Sequence, residues 1–176
     1  AGPVRAMLAS EAQVLGMHPL FGPTVTSLRG QTVILTPARC GTPFCSRLPG
    51  ILREEGANLV VMDPDAHDRL MAVIQGLTHF GNLCMAEAIR RTGTDLAAAL
   101  GATSPVYRIQ MDLIGRLLSQ DPALYGDMLQ LNPDVPGVLA AFESAAADLR
   151  ARVEGGELPL FAEFFGRLAE LYSPYR

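Results

Sequence analysis

The feature that most constrains this chain is a change of pattern at Asp63-Pro64-Asp65. Upstream, apolar residues come in short runs, Gln13 to Met17, Thr32 to Leu35 and Leu59 to Met62, divided by turn-rich stretches. Such runs read as three buried strands, with a helical stretch from Phe44 to Glu55 between the last two. Continuous Val/Ile/Leu runs of this kind, with a helix between the last two, suit a sheet covered on both faces. Pro49 lies inside the helical stretch and is expected to bend it or delay its start.

At residue 63 the triplet supplies a helix cap, a proline fit for the first turn and a negative charge that favours a helix N-terminus. Apolar residues then recur at helical spacing. Leu70, Met71, Val73, Ile74, Leu77, Phe80, Leu83 and Cys84 define one face of a long helix ending near Gly93. Gly76 and Gly81 within it allow another element to approach closely. Further helices are expected at Pro105 to Gln120, Pro122 to Leu131, Pro136 to Glu154 and Pro159 to Leu171, each opened by a proline. The expected organisation is an α/β segment over 1–62 and an all-helical domain over 63–176, predominantly α in sum.

Composition removes several classes of function. Of 176 residues, 49% are hydrophobic, enough for a real core, and the net charge of −4 offers no basic stripe for phosphates, so nucleic acid is not an expected partner. No apolar run approaches the roughly 20 residues that cross a bilayer, so a membrane is not expected either and the chain is placed in the cytoplasm. All fourteen basic side chains are arginine, which excludes a Schiff-base lysine and a P-loop of the GK[ST] kind. Cys40, Cys45 and Cys84 have no metal-ligand spacing and read as reduced thiols; no metal site is expected. No two of the seventeen glycines are separated by a single residue, so the chain holds no G-x-G-x-x-G dinucleotide fingerprint.

Three histidines carry the remaining chemical interest, because only their side chains titrate near neutral pH without special tuning. His18 ends an apolar run and opens the turn His18-Pro19-Leu20-Phe21-Gly22-Pro23, a place where open parallel sheets bind ligands; the alternative is a loop residue capping the strand. His79 lies one helical turn beyond Gln75, so the two share a face that points either into a cleft or into the core. His67, between Asp63 and Asp68 in a first turn, reads equally well as structural. Arg108, Asp112 and Arg116 form an i, i+4 ladder, which is either a solvated ion-pair row or includes a guanidinium that grips a carboxylate through two parallel hydrogen bonds.

The segments His18-Pro-Leu-Phe-Gly-Pro23, His67-Asp-Arg-Leu-Met-Ala-Val-Ile-Gln-Gly-Leu-Thr-His-Phe80, Ser104-Pro-Val-Tyr-Arg-Ile-Gln-Met-Asp-Leu-Ile-Gly-Arg116 and Gln120-Asp-Pro-Ala-Leu-Tyr125 together resemble the prephenate dehydrogenase family. Each motif is weak alone; the ordered set, from about Gly2 to Tyr172, is specific. The resemblance implies the C-terminal part of a Rossmann-type domain over 1–62 and a helical dimerisation and substrate-binding domain over 63–176. It also implies that the glycine-rich half of the nucleotide domain lies upstream of Ala1.

By the same resemblance the catalytic histidine falls on His18 and the carboxylate-anchoring arginine on Arg116. His79, Gln75 and Tyr125 match positions lining the pocket for substrate or a tyrosine effector, Arg108 matches a family arginine with mainly a helix-organising part, and Asp112 departs from the pattern. The implied reaction is NAD- or NADP-dependent oxidative decarboxylation of prephenate by a homodimer in tyrosine biosynthesis. Arogenate or 4-amino-4-deoxyprephenate are alternative substrates, and a non-catalytic dimerisation or aromatic-effector module is the alternative of another class. Another helical-tailed dehydrogenase, acting on a hydroxy acid or sugar acid, is a third.

Overall fold

The computed structural model describes residues 2–41 and 43–175, apart from the side chain of Phe44. The chain falls into two compact units, residues 1–135 and 136–176. The first opens with α1 (Gly2–Met7), followed by β1 (Val14–Pro19), β2 (Thr32–Arg39), α2 (Pro43–Glu54) and β3 (Asn58–Val61). Helices then take over: α3 (Pro64–Met71), a π-helical segment (Ala72–Leu77), α4 (Thr78–Thr92), α5 (Leu96–Gly101), α6 (Pro105–Leu118) and α7 (Pro122–Gln130). This is the remnant of a Rossmann-type domain followed by helices.

The strands lie in the order β1-β2-β3. β2 pairs with β3 in parallel, Leu35 opposite Val61, whereas β1 runs antiparallel, with His18 opposite Ile34 and Met17 opposite Leu35. The sheet is therefore mixed, with β1 as its antiparallel edge. Being central, β2 is buried on both faces, and Val33, Ile34 and Leu35 are each at most 2% exposed. Val33 and Leu35 point to one side, into a cluster with Ala57, Leu15, Phe21, Leu28, Leu52 and Leu59. The alternating pleat sends Ile34 and Thr36 to the other side, which is also the side of Gly16 and His18. A Cβ built on Gly16 would stand only 2.1 Å from Thr36 Oγ1, so glycine lets the two strands keep this register.

Two local expectations change. Pro49 sits inside α2 without ending it. Cys40, just after β2, and Cys45, in the first turn of α2, are joined as a disulfide, with Cα atoms 5.6 Å apart. The reading of these two as reduced thiols is overturned; Cys84 is free.

The long helix expected from residue 63 begins as the sequence implies: Asp63 caps α3 by accepting from Ala66 N at 2.8 Å, with Pro64 in the first turn. It is not uniform, because Ala72–Leu77 widens to π-helix before α4 continues to an αL cap at Gly93. Gly76 in the widened turn is where another element comes close: a Cβ there would lie 2.9 Å from the Val135 side chain, which is itself 2% exposed. Ser104 and Asp121 cap α6 and α7, each ahead of a proline. The short α5 was not anticipated; its start is set by Asp95, which accepts from Ala97 N and Ala98 N.

The second unit holds most of α8 (Val135–Gly155) together with α9 (Leu158–Leu171) and a 3₁₀ turn (Ser173–Tyr175). None of its described residues is buried. Among the described residues no helix is long and apolar enough to cross a membrane.

Candidate active site

The polar face of the sheet and the start of the helical region converge on His18. β1 carries it beside Ile34 of the central strand, and α3 packs against β2 from the same side. This brings His67, in the first turn of α3, to His18 although 49 residues separate them: His18 Nδ1 and His67 Nε2 are 2.9 Å apart, ring centroids 5.1 Å, interplanar angle 69°. The other ring nitrogen of His67, Nδ1, lies 3.0 Å from Asp68 Oδ1. Asp68 is buried, and its backbone carbonyl accepts from Asn132 Nδ2 at 2.8 Å, which ties the turn after α7 to α3.

On its far side His18 meets the π-helical segment. Gln75 Nε2 lies 3.2 Å from His18 Nε2 and donates to it. The π-turn contributes directly here, since an added residue per turn changes which side chains face the sheet; such bulges are frequent at functional sites. Burial lowers the pKa of His18 below its ordinary value near 6.5, and repulsion from His67 lowers it further. At neutral pH the ring is thus uncharged and holds a lone pair.

His18 also forms part of the wall of a cavity of about 770 Å³, in the size range of small-molecule sites. Gln75, His79, Arg116, Gln120 and Tyr125 line the same space. Its chemistry is mixed: a base at one end, a guanidinium from the last turn of α6, and an aromatic wall. His79 packs edge-on against Tyr125, centroids 4.8 Å apart and planes 82° apart, and burial lowers its pKa as well. Such an aromatic wall suits a flat ring.

Five residues singled out from the sequence, His18, Gln75, His79, Arg116 and Tyr125, thus share one cavity. Arg108 does not join them. Its guanidinium reaches back to the carbonyl of Leu100 at 3.5 Å, bridging α6 to α5. The i, i+4 ladder is not an ion-pair row either, since none of the ion pairs among the described residues joins Arg108, Asp112 or Arg116. His67 was missed as a contributor; the adjacent His67-Asp68 pair in a capped first turn was the only local signal, and pairing with His18 depends on the sheet. Among the described residues no three His, Cys, Asp or Glu side chains gather to hold a metal ion.

Residues 63–167, more than half of the chain, match the family described as "Prephenate dehydrogenase, dimerization domain". A probable arogenate/prephenate dehydrogenase of Methanocaldococcus jannaschii is 31% identical over 91% of this chain and 36% of its own length. A 4-amino-4-deoxyprephenate dehydrogenase of Streptomyces pristinaespiralis is 28% identical over 89% of this chain and 52% of its own. This chain therefore spans about a third to a half of the curated relatives it matches. The fold is that of a prephenate dehydrogenase from A. aeolicus solved with hydroxyphenyl propionate and NAD⁺, at a TM-score of 0.70, 20% identity, and coverage of 92% of this chain and 59% of that one. Matching segments, helical domain and fold agree, and the chain belongs to the prephenate dehydrogenase family.

Proposed function

We propose that this chain supplies the base and the substrate pocket for NAD(P)-dependent oxidative decarboxylation of prephenate to 4-hydroxyphenylpyruvate. The observation that carries the reading is the single cavity that holds the uncharged His18 Nε2 at one place and the Arg116 guanidinium at another. Prephenate is a cyclohexadiene with a ring carboxylate opposite a carbinol carbon. Loss of hydride from that carbon and of carbon dioxide from the ring gives an aromatic product, so the protein needs to supply alignment and a proton acceptor more than driving force.

His18 takes the hydroxyl proton on Nε2 as the C–O bond gains carbonyl character, displacing the Gln75 amide from that nitrogen. Gln75 is then free to hydrogen-bond the substrate. Arg116 holds a substrate carboxylate with a fork that lysine does not reproduce. His79 and Tyr125 flank the ring. A nicotinamide, when bound, accepts the hydride. The residues present do not form a dinucleotide site, because no glycine-rich phosphate turn occurs among them, so no residue of this chain is assigned to hold the cofactor.

The family relatives act on prephenate, arogenate or the 4-amino analogue according to their names. The choice here falls to the pocket groups that meet the side chain and the ring heteroatom. A tyrosine effector, which carries the same phenolic ring, is a second occupant suited to the His79–Tyr125 wall. A homodimer is supported by the apolar side chains left exposed on the helices, among them Val106, Ile109, Leu158 and Phe165.

The deciding experiment follows reduced-cofactor absorbance with the nucleotide-binding half present, offering prephenate, arogenate and the amino analogue in turn with NAD and with NADP. Turnover of prephenate that His18→Asn abolishes supports the reading. Equal turnover in His18→Asn overturns it, and binding of aromatic acids without turnover of any of the three favours the effector module.

A further inference from the structure

Gln75 donates to Nε2 of His18, but a single amide contact does not explain why that nitrogen, rather than Nδ1, carries the lone pair. In solution a neutral imidazole exchanges its proton between the two nitrogens, and a base aimed at the cavity through the protonated one could not accept a proton there. The answer lies outside the cavity. Asp68, in hydrogen-bonding contact with His67 Nδ1, accepts when ionised and cannot donate, so Nδ1 of His67 bears the proton. In the neutral ring Nε2 of His67 is then an acceptor, and it sits 2.9 Å from His18 Nδ1. That contact is a hydrogen bond only if His18 Nδ1 carries its proton, which leaves Nε2 bare, as the Gln75 contact requires.

We infer that His67, held by Asp68, is a positioning residue that fixes His18 in the tautomer whose lone pair faces the cavity. With both rings neutral and the Gln75 amide nitrogen against His18, every contact in the chain Asp68–His67–His18–Gln75 has one donor and one acceptor only in this arrangement. Reversing the proton on His18 would face two lone pairs at His67 and two donors at Gln75. His67 and Asp68 are mostly buried, and the Asp68 backbone is tied to Asn132. The inference concerns the state of His18 in this chain and deepens the proposed function, in which His18 is the base.

The test reads the tautomer directly by ¹⁵N NMR of the histidine side chains in this chain, at pH ~8.5, about two units above the ordinary histidine pKa. The expected wild-type spectrum has His18 Nδ1 in the protonated, pyrrole-type range and Nε2 in the unprotonated, pyridine-type range. His67→Leu, shown folded by circular dichroism, should draw the two His18 signals together as the tautomers mix. Asp68→Asn keeps size and shape but can donate, so it should give a mixed or reversed pattern even if His67→Leu does not fold. A wild-type His18 protonated at Nε2 overturns the inference, as does an unchanged spectrum in Asp68→Asn or in folded His67→Leu. Because the readout needs neither substrate nor cofactor, its failure is distinct from failure of the proposed reaction, and a fixed tautomer in an enzyme that ignores prephenate would sink only the latter.

Discussion

The sheet of the first unit and the helices of the second use apolar residues in opposite ways. Around β2, Val33, Ile34 and Leu35 are shut away on both faces, and the polar groups nearby are tied across elements: His18 of β1 meets His67 of α3, and the Asp68 backbone carbonyl accepts from Asn132. In residues 136–176 no described side chain is buried, although α9 carries Leu158, Leu160, Phe161, Phe164, Phe165, Leu168 and Leu171. Its contacts are local, such as Phe161 stacked on Phe165 and Arg152 over the Phe164 ring at 5.4 Å. The first region surrounds its polar groups with buried side chains; the second has apolar surface suited to contacts made elsewhere.

The largest expected effect would break the contrast if it failed. On the proposed function, His18→Asn, assayed together with a nucleotide-binding domain, should lower kcat by about 10²- to 10⁴-fold with a smaller change in KM, since a hydrogen bond to the reacting hydroxyl strengthens toward the transition state. Steady-state kinetics at neutral pH measures it. Next comes the core itself: Leu35→Ala should cost about 2–5 kcal/mol in denaturant unfolding, through lost burial and a cavity beside Val33. If Leu168→Ala, on a residue 42% exposed, cost as much in a dilute monomer, the contrast between the regions would be wrong.

On the proposed function, Arg116→Ala should weaken binding of the substrate carboxylate by about 2–4 kcal/mol, read as a rise in Kd or KM. Arg108→Ala, whose guanidinium faces Leu100 rather than the cavity, should leave that affinity nearly unchanged. The acid response sharpens the comparison further. His18 and His79 have folded-state pKa values lowered by burial, so the unfolded chain takes up protons first as pH falls below about 6.5. Stability should be fully present above that pH and decline with acidification through the lowered folded values, and the acid limb of kcat/KM should lie below 6.5. At the smallest end, Arg150→Ala, which breaks an exposed pair with Glu154, should shift unfolding by no more than about 0.5 kcal/mol.

By itself the sequence determined where several of the helices begin. Prolines after Asp63, Ser104 and Asp121 remove a donor that the first helical turn leaves unpaired anyway, and the caps satisfy the next ones, so local chemistry was sufficient there. The ordered motifs likewise singled out His18, Gln75, His79, Arg116 and Tyr125, which the fold gathers round one space. The tertiary structure alone decided the sense of β1, because an apolar run fits a strand of either direction and only pairing with β2 selects one. It brought Cys40 and Cys45 together as a disulfide, which their spacing does not encode. It separated Arg108 from Arg116, two positions on one helix whose neighbours differ. And it placed His67 on His18 across 49 residues, since a hydrogen bond at 2.9 Å depends on how a helix lies on a sheet, which no periodicity along the chain records.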